Sequence, residues 1–526
     1  MIVSGLSLKT FAILVGSAAV LRAVEFCLDL RRLLRSINYL PGYRTVFSST
    51  TVLGSLLPRM PLLALGRDHS WRLKHAPFAE RGLDIISAVS FWPKPMGNMF
   101  IADVQAIKDI VWSRGLFQKP LSQYAALKVL GGNIVASEGD EWKRYHKVVA
   151  RAFSERNNRL VWNATTQVIL ELFDTAWIGK DEVVVDHAVD LTLPIGLFVI
   201  GAAGFGRHIS WKDDAVIPPG HQLTFKDALL TTSHDLFIKL LVPRWAMGFT
   251  KRFRRARLEF DELRRYLTEM IQERKGFQLK EDDKDLFSSL LAANDDENLM
   301  KDEVKLNDSE LIGNMFTLMI DETIAHSLAF ALALLALYTD KQEELYQHIK
   351  RVLPDGRIPT YDDMPSLSYS SAVFNEALRM FPPVTNVPKL SAENTTFTIT
   401  DVNGTQKTVS VPEGITLTLA VPALHYNPKY WEDPHTFKPE RFLGDWNRDA
   451  FLPFSGGYRV CVGRKFSETE GAAVLTMLFS QYTVSIKDEP QFAGESFEQR
   501  KARVLDAKSI LTLAPTRLPL VFRRRT

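Results

Sequence analysis

The sequence predicts a mainly α-helical protein with a small β region, one large domain preceded by an N-terminal membrane anchor. Three observations carry that expectation. Apolar residues recur at helical spacing over most of the chain. Strand signals cluster late, at Thr395–Thr400 and Thr408–Leu419. No Gly/Ser-rich or Pro-rich linker divides the body of the chain. With 46% hydrophobic and 24% charged residues, the composition suits a globular protein with a sizeable core. A net charge of +3 gives no reason to expect nucleic acid as a partner. Two cysteines, Cys27 and Cys461, cannot build a disulfide framework or a four-thiolate zinc site, which places the bulk of the chain in a reducing compartment.

From Ile2 to Leu21 every residue except Lys9 is apolar or small, and Arg22, Arg31, Arg32 and Arg35 follow. Three readings fit: a signal peptide with Lys9 in its charged region, a membrane anchor holding the arginines on the cytosolic side, and an amphipathic helix. The reducing compartment favours the anchor, over residues 1–35, with residues 36–526 as the main domain. Leu40-Pro41-Gly42 is a turn signal. Helical patterning covers Asp140–Ala152, Thr165–Trp177, Thr224–Leu241, Arg252–Lys275, Asp308–Thr339 and Ser366–Met380. Turns at Asn403-Gly404 and Pro412-Glu413-Gly414 punctuate the strand region. Gly201, Gly204 and Gly206 do not match G-x-G-x-x-G, and tight helix packing accounts for them better than a dinucleotide site. The sequons at Asn163, Asn307, Asn394 and Asn403 would not be glycosylated in a cytosolic domain.

The chemistry concentrates at FSGGYRVCVG, Phe454 to Gly463. Cys461 reads either as a nucleophile paired with one of eleven histidines or as a metal ligand. The neighbours favour ligation. Gly456, Gly457 and Gly463 let the backbone approach a flat object, and Arg459 can pair with an anionic group. A helix-compatible stretch from Lys465 to Ser480 puts a helix N-terminus near the sulfur. A single thiolate suits an iron whose other ligands come from a macrocycle.

This segment resembles the haem-binding signature of the cytochrome P450 family, Phe-x-x-Gly-x-Arg-x-Cys-x-Gly, matched at Phe454, Gly457, Arg459, Cys461 and Gly463. The resemblance implies a haem-thiolate fold over residues 36–526, with haem b as cofactor. Cys461 would be the axial ligand of the iron, Phe454 would pack near the sulfur and Arg459 would bind a propionate. Further segments match in the family's order. Glu376 and Arg379 in SAVFNEALRMFPP, with Arg441 in FKPERF, resemble the family's Glu-Arg-Arg network. Trp142 in EGDEWKRYHK resembles the tryptophan of Trp-x-x-x-Arg, with His146 in place of the arginine. Lys389 sits where relatives often place another propionate partner. In the apolar stretch Glu310–Asp340, Glu322 and Thr323 match the acid and first threonine of the helix that crosses the haem, whereas Met319 and Ile320 occupy its small-residue positions and Ile324 replaces the second hydroxyl. Asp321, Glu322 and His326 near its middle argue against a transmembrane span.

The implied activity is monooxygenation of an apolar organic substrate by O2, in the style of fungal membrane-bound members, with a terpenoid or other secondary metabolite as substrate. Electrons would come from NADPH through an NADPH-cytochrome reductase. The implied location is the endoplasmic reticulum membrane with the catalytic domain facing the cytosol. The alternatives are a haem-thiolate isomerase, dehydratase or peroxygenase that does not activate O2, and a non-enzymatic haem sensor. Lys143, Arg144, Lys147, Arg464 and Lys465 make a candidate basic docking face.

Overall fold

Ile85–Trp92 and Met96–Ile101 are near-continuous apolar runs, and both become central strands covered on their two faces. They belong to one of two compact units of the chain, formed by Met1–Pro120 with Asn386–Tyr430; Leu121–Thr385 with Trp431–Thr526 form the other. The computed structural model describes residues 8–212, 216–275, 285–295, 305–318, 322–509 and 511–525.

Strands are numbered along the whole chain. In the first unit they are β1 (Gly42–Phe47), β2 (Ile85–Trp92), β3 (Met96–Ile101), β4 (Phe117–Gln118), β6 (Asn386–Ser391), β7 (Thr395–Thr400), β8 (Gln406–Val411) and β9 (Thr416–Ala420). One sheet runs β1-β2-β3-β9-β6-β4, while β7 and β8 form a separate hairpin. β1 is parallel to β2 and β3 to β9, with Asn98 opposite Thr416; the other pairs are antiparallel. Ile86, Ala88, Phe100 and Ala420 pack with Leu65 and Phe78 as its core. Of the expected late β region, only β9 joins the six-stranded sheet, while β7 and β8 pair with each other. Its single run Thr408–Leu419 divides into β8 and β9 at the Pro412-Glu413-Gly414 turn, where Gly414 takes φ +74°.

Among the described residues of this unit two helices have eight residues or more, α1 (Leu8–Ser36) and α2 (Val104–Trp112). The Asp103 side chain caps α2, accepting from Ala106 N at 2.9 Å, and Ala106, Ile107, Ile110 and Val111 form the buried stripe. At 29 residues, α1 is about 44 Å long. It keeps Ile13, Leu14, Val20 and Leu21 exposed, while Phe26 meets Phe91 edge-on at 6.4 Å. Among the described residues α1 falls short of the apolar length that marks a bilayer span.

The second unit holds α3 (Gly139–Ala152), α4 (Glu155–Asp174), α5 (Val189–Val199), α6 (Phe225–Leu241), α7 (Lys251–Lys275), α8 (Leu286–Asp295), α9 (Asp308–Leu318), α10 (Glu322–Leu337), α11 (Thr339–Val352), α12 (Ser368–Met380), α13 (Arg464–Gln481) and α14 (Phe497–Val504). Its strands are β5 (Glu182–Val185), β10 (Tyr482–Ile486), β11 (Ala507–Ser509), β12 (Leu513–Pro515) and β13 (Leu520–Arg524), in sheets β10-β13-β5 and β11-β12. The stretch expected to be one helix over Asp308–Thr339 supplies α9 and α10, and Thr339 opens α11. α10 is buried almost all round, from Ile324 to Ala336, as befits a core helix. α4 begins ten residues before the expected Thr165, because Ser154 caps it by accepting from Asn157 N at 3.3 Å. It ends at Asp174, and Trp177 packs beyond it against Tyr482 and Phe522. Gly471 lets α13 touch α12: a Cβ there would lie 2.7 Å from the Phe374 ring. The glycines of Pro194–His208 continue α5 as a π-helical turn over Ile200–Gly204, and a Cβ on Gly201 would meet Ile209 at 2.6 Å.

Candidate functional site

The loop Trp431–Gly463 joins the first unit to α13, and an ion network inside the second unit holds its start. Spacing of three puts Glu376 and Arg379 on one face of α12. Arg379 grips both Glu376 oxygens, Nε to Oε2 at 2.7 Å and Nη2 to Oε1 at 2.8 Å, and both side chains are fully buried. Arg379 Nη1 donates to Pro434 O at 2.9 Å. Arg441 Nε reaches Glu376 Oε1 at 3.1 Å and its Nη1 donates to Glu432 O at 3.0 Å. Lys438 N donates to Glu376 Oε1 at 3.0 Å, so the carboxylate's charge is met from three directions.

Within the loop, Trp431, Phe442, Trp446 and Phe451 form an aromatic cluster. The chain then turns sharply: Ser455 and Gly457 both take φ +60°. Gly456 and Gly463 do not use glycine's freedom, with φ of −156° and −83°. Cys461 N donates to Phe454 O at 2.9 Å and closes the loop. Gly463 precedes α13, so Sγ lies at that helix's N-terminus. The Cys461 side chain is open to solvent on one side, yet enough protein surrounds it that burial pushes its thiol up. The Gly463 N–H and the Arg464 charge act in the opposite direction, toward a thiolate. Phe454 lies beneath the Arg464 guanidinium, 5.6 Å from ring centre to Cζ.

Arg459 reaches α3. Its Nη2 donates to Ser137 O at 3.3 Å and pairs with Glu138, and its Cζ sits 3.9 Å above the Trp142 ring. The His146 ring lies against Trp142, tilted by 40° with 4.8 Å between centroids. Burial, and then the Arg459 charge, hold the His146 imidazole below its usual range. Arg459 Nη1 is buried without a hydrogen-bond partner among the described residues. A buried donor left open on a guanidinium fits a carboxylate ligand such as a haem propionate. Burial raises the phenol of nearby Tyr124 to about 12. Tyr124 and Glu138 were not expected here, because nothing in local spacing links them to a residue more than 300 positions away.

Glu322, the first described residue of α10, lines a small cavity with Leu229, Thr232, Ser233, Leu263 and Phe316. Burial pushes its carboxyl up to about 7. Thr323 follows, its carbonyl accepting from Ser327 Oγ at 2.6 Å. Burial lowers His326 to about 4, leaving it neutral beside Thr512, with Nδ1 3.1 Å from Oγ1. Met319, Ile320 and Asp321 lie outside the described residues. Lys389 lies on β6 of the first unit, buried opposite Leu417. Of the candidate docking face, Arg144 is engaged by Glu310, which also accepts from Tyr145 at 3.0 Å, Lys143 pairs with Asp140 at 2.8 Å and Arg464 with Glu468 at 2.8 Å. Arg144 is thus a structural ion-pair partner rather than a free surface charge.

The Glu322 shift has a measurable consequence. Its folded-state value, about 7, lies above the ordinary 4.5, so the neutral carboxyl's contribution to stability is complete below pH 4.5 and is lost as pH rises through 7. At about 1.36 kcal/mol per unit the loss is on the order of 3 kcal/mol. Thermal unfolding across this range should show wild type weakening relative to Glu322→Gln as pH rises; parallel profiles would contradict the buried, protonated carboxyl.

A haem-thiolate class of protein is what this loop, network and helical fold define, and comparison with known proteins gives the same answer. The cytochrome P450 family model matches residues 85–504. The chain belongs to the cytochrome P450 family and is a haem-thiolate monooxygenase. It is 50% identical over 523 residues, 98% of this chain and 100% of the relative, to cytochrome P450 monooxygenase 124 of Postia placenta. It is 33% identical over 390 residues, 72% of this chain and 78% of the relative, to cyclooctat-9-en-7-ol 5-monooxygenase of Streptomyces melanosporofaciens. The crystal structure of the cytochrome P450DA haem domain has the same fold, with a TM-score of 0.71 at 21% identity over 93% of this chain and 98% of that one.

Proposed function

We propose that this monooxygenase oxidises an apolar terpenoid, and that Cys461 would hold the haem iron through its thiolate while Arg459 would pair with a propionate. The observation that carries the site assignment is the loop itself: Sγ open at the N-terminus of α13, the Gly463 N–H directed toward it, and an unpartnered Arg459 Nη1. When bound, the haem iron supplies dioxygen chemistry, one oxygen atom entering the substrate and the other leaving as water. The chain's part is positional. The Glu376–Arg379–Arg441 network fixes the approach to the loop, and α13 and Gly463 stabilise negative charge on Sγ. Trp142, itself packed against His146, backs the Arg459 guanidinium. Glu322, with Thr323 beside it, holds a proton at its carboxyl near neutral pH, the condition for a proton donor.

The substrate class draws support from relatives: the Streptomyces enzyme above is named for a cyclooctatenol, and pentalenene oxygenase of Streptomyces avermitilis is 33% identical over 211 residues, 39% of this chain. Coexpression with an NADPH-cytochrome reductase and a panel of cyclic terpenes tests it. Hydroxylated terpene is the expected product; turnover of fatty acids but of no terpene would overturn the assignment.

The exposed apolar residues of α1, including Ile13, Leu14, Val20 and Leu21, support a membrane anchor, with Arg22, Arg31, Arg32 and Arg35 on the cytosolic side of the endoplasmic reticulum. Deleting residues 1–35 is expected to move the protein from the membrane fraction to the soluble one. A truncated protein still wholly membrane-bound would exclude α1 as the anchor.

A further inference from the structure

Monooxygenation consumes two electrons and two protons for each oxygen atom inserted and each water released. NADPH supplies the electron pair through the reductase, and the protons come from solvent. They must reach Glu322, whose carboxyl is mostly enclosed by apolar side chains. One unpartnered polar atom lies on that enclosure and a second on the helix packed beside it. Thr232 Oγ1 on α6 and Glu259 Oε2 on α7 are buried with no hydrogen-bond partner among the described residues. Thr232 is 2% exposed and Glu259 1%.

The two atoms occupy one interface. α6 packs along α7, and Leu263, one turn after Glu259 on the same face of α7, lines the cavity that Thr232 and Glu322 share. That cavity has room for about a single water molecule. Its other hydroxyl, Ser233 Oγ, already donates to Leu229 O at 3.1 Å, so Thr232 is the group left to exchange a proton with Glu322. Glu259 links the interface to solvent. Its Oε1 accepts from Arg255 Nε at 3.0 Å, and the Arg255 side chain is 69% exposed. Asp235, 3.5 Å from Arg252 at the surface, adds a second carboxylate nearby. Burial, with the Asp235 charge adding to it and the Arg255 and Thr231 side chains opposing it, pushes the Glu259 carboxyl up. An orphan acceptor on a buried acid and an orphan hydroxyl beside a second buried acid are costly for stability alone, by about 1–3 kcal/mol each.

We propose that the protons of turnover enter between α6 and α7, with Glu259 taking them up on the surface side and Thr232, through the water its cavity admits, passing them to Glu322. The inference rests on Glu322 as the proton donor of the proposed reaction. Thr232 and Glu259 are positioning residues for proton transfer and do not touch the substrate.

The test uses the full-length holoenzyme with reductase and measures NADPH-supported oxygen consumption in H2O and in D2O, with haem content and the reduced carbon monoxide spectrum as checks on the fold. Thr232→Val preserves shape and removes the hydroxyl. It is expected to slow oxygen consumption by about 10²-fold, the lower end for a lost proton-transfer group, with a larger solvent isotope effect. Thr232→Ser restores the hydroxyl and should recover most of the rate. Glu259→Gln should flatten the pH dependence of the rate. Wild-type rate and isotope effect in Thr232→Val, or an equal loss in Thr232→Val and Thr232→Ser, would overturn the route and leave only packing. Glu322→Gln separates the two levels: if it too is unaffected, the assignment of Glu322 fails; if it is impaired while Thr232→Val is not, only the entry route fails.

Discussion

Cys461→Ser is expected to abolish NADPH-supported monooxygenation while the protein stays folded. The side chain is open on one side and contributes little packing, and the bond that closes the loop runs from the Cys461 backbone N–H to Phe454 O, which serine keeps. What serine loses is the soft, ionisable sulfur. The Gly463 N–H and the N-terminus of α13 favour charge on a thiol whose ordinary pKa is about 8.5, and metal ligation completes the deprotonation. A serine hydroxyl at the same place stays neutral and cannot offer the same electron density to iron. The reduced carbon monoxide spectrum should therefore lose its thiolate signature while the melting curve stays near that of wild type. Cys27→Ser is the control, because the only other thiol lies on α1. A thiolate spectrum surviving in Cys461→Ser would refute the assignment.

The second large effect is expected at Arg441. Its guanidinium ties Glu376 to the carbonyl of Glu432, and only 11% of the side chain is exposed. Removing it leaves a fully buried carboxylate with Arg379 as its one remaining cation and frees the start of the loop that leads to Cys461. Breaking a buried ion network in this way costs about 3–5 kcal/mol. Arg441→Ala should therefore purify with little haem and unfold at lower temperature. Arg441→Lys should rescue poorly, since a single ammonium cannot serve both Glu376 and Glu432. Normal haem content in Arg441→Ala would show that the network does not govern the loop.

Much of this site was readable in the sequence because its parts are local. The ten residues Phe454–Gly463 contain their own turn, and Glu376 and Arg379 share one turn of α12. The α13 boundaries expected from Lys465 to Ser480 differ from Arg464–Gln481 by one residue at each end. What stayed hidden depends on distant pairing. β2 is buried on both faces, so it lacks the alternation that marks a half-exposed strand, and β3 meets β9 across more than 300 residues. The partnership of Arg459 with Glu138 is equally remote. Glu322 was visible as an acid in an apolar run, but its cavity with Thr232 arises only when α6, α7 and α10 pack. The early turns of α4 were missed because ERNNR reads as polar loop until Ser154 is seen to cap it.

As a cytochrome P450 monooxygenase, this chain inserts one atom of dioxygen into an apolar substrate. The most direct measurement is turnover of the holoenzyme with reductase and NADPH under isotopically labelled O2, followed by mass analysis of product and water. One labelled oxygen atom in the product and the other in water is the expected result. Unlabelled product, formed without O2 uptake, would contradict it and point to haem-thiolate isomerisation or dehydration instead.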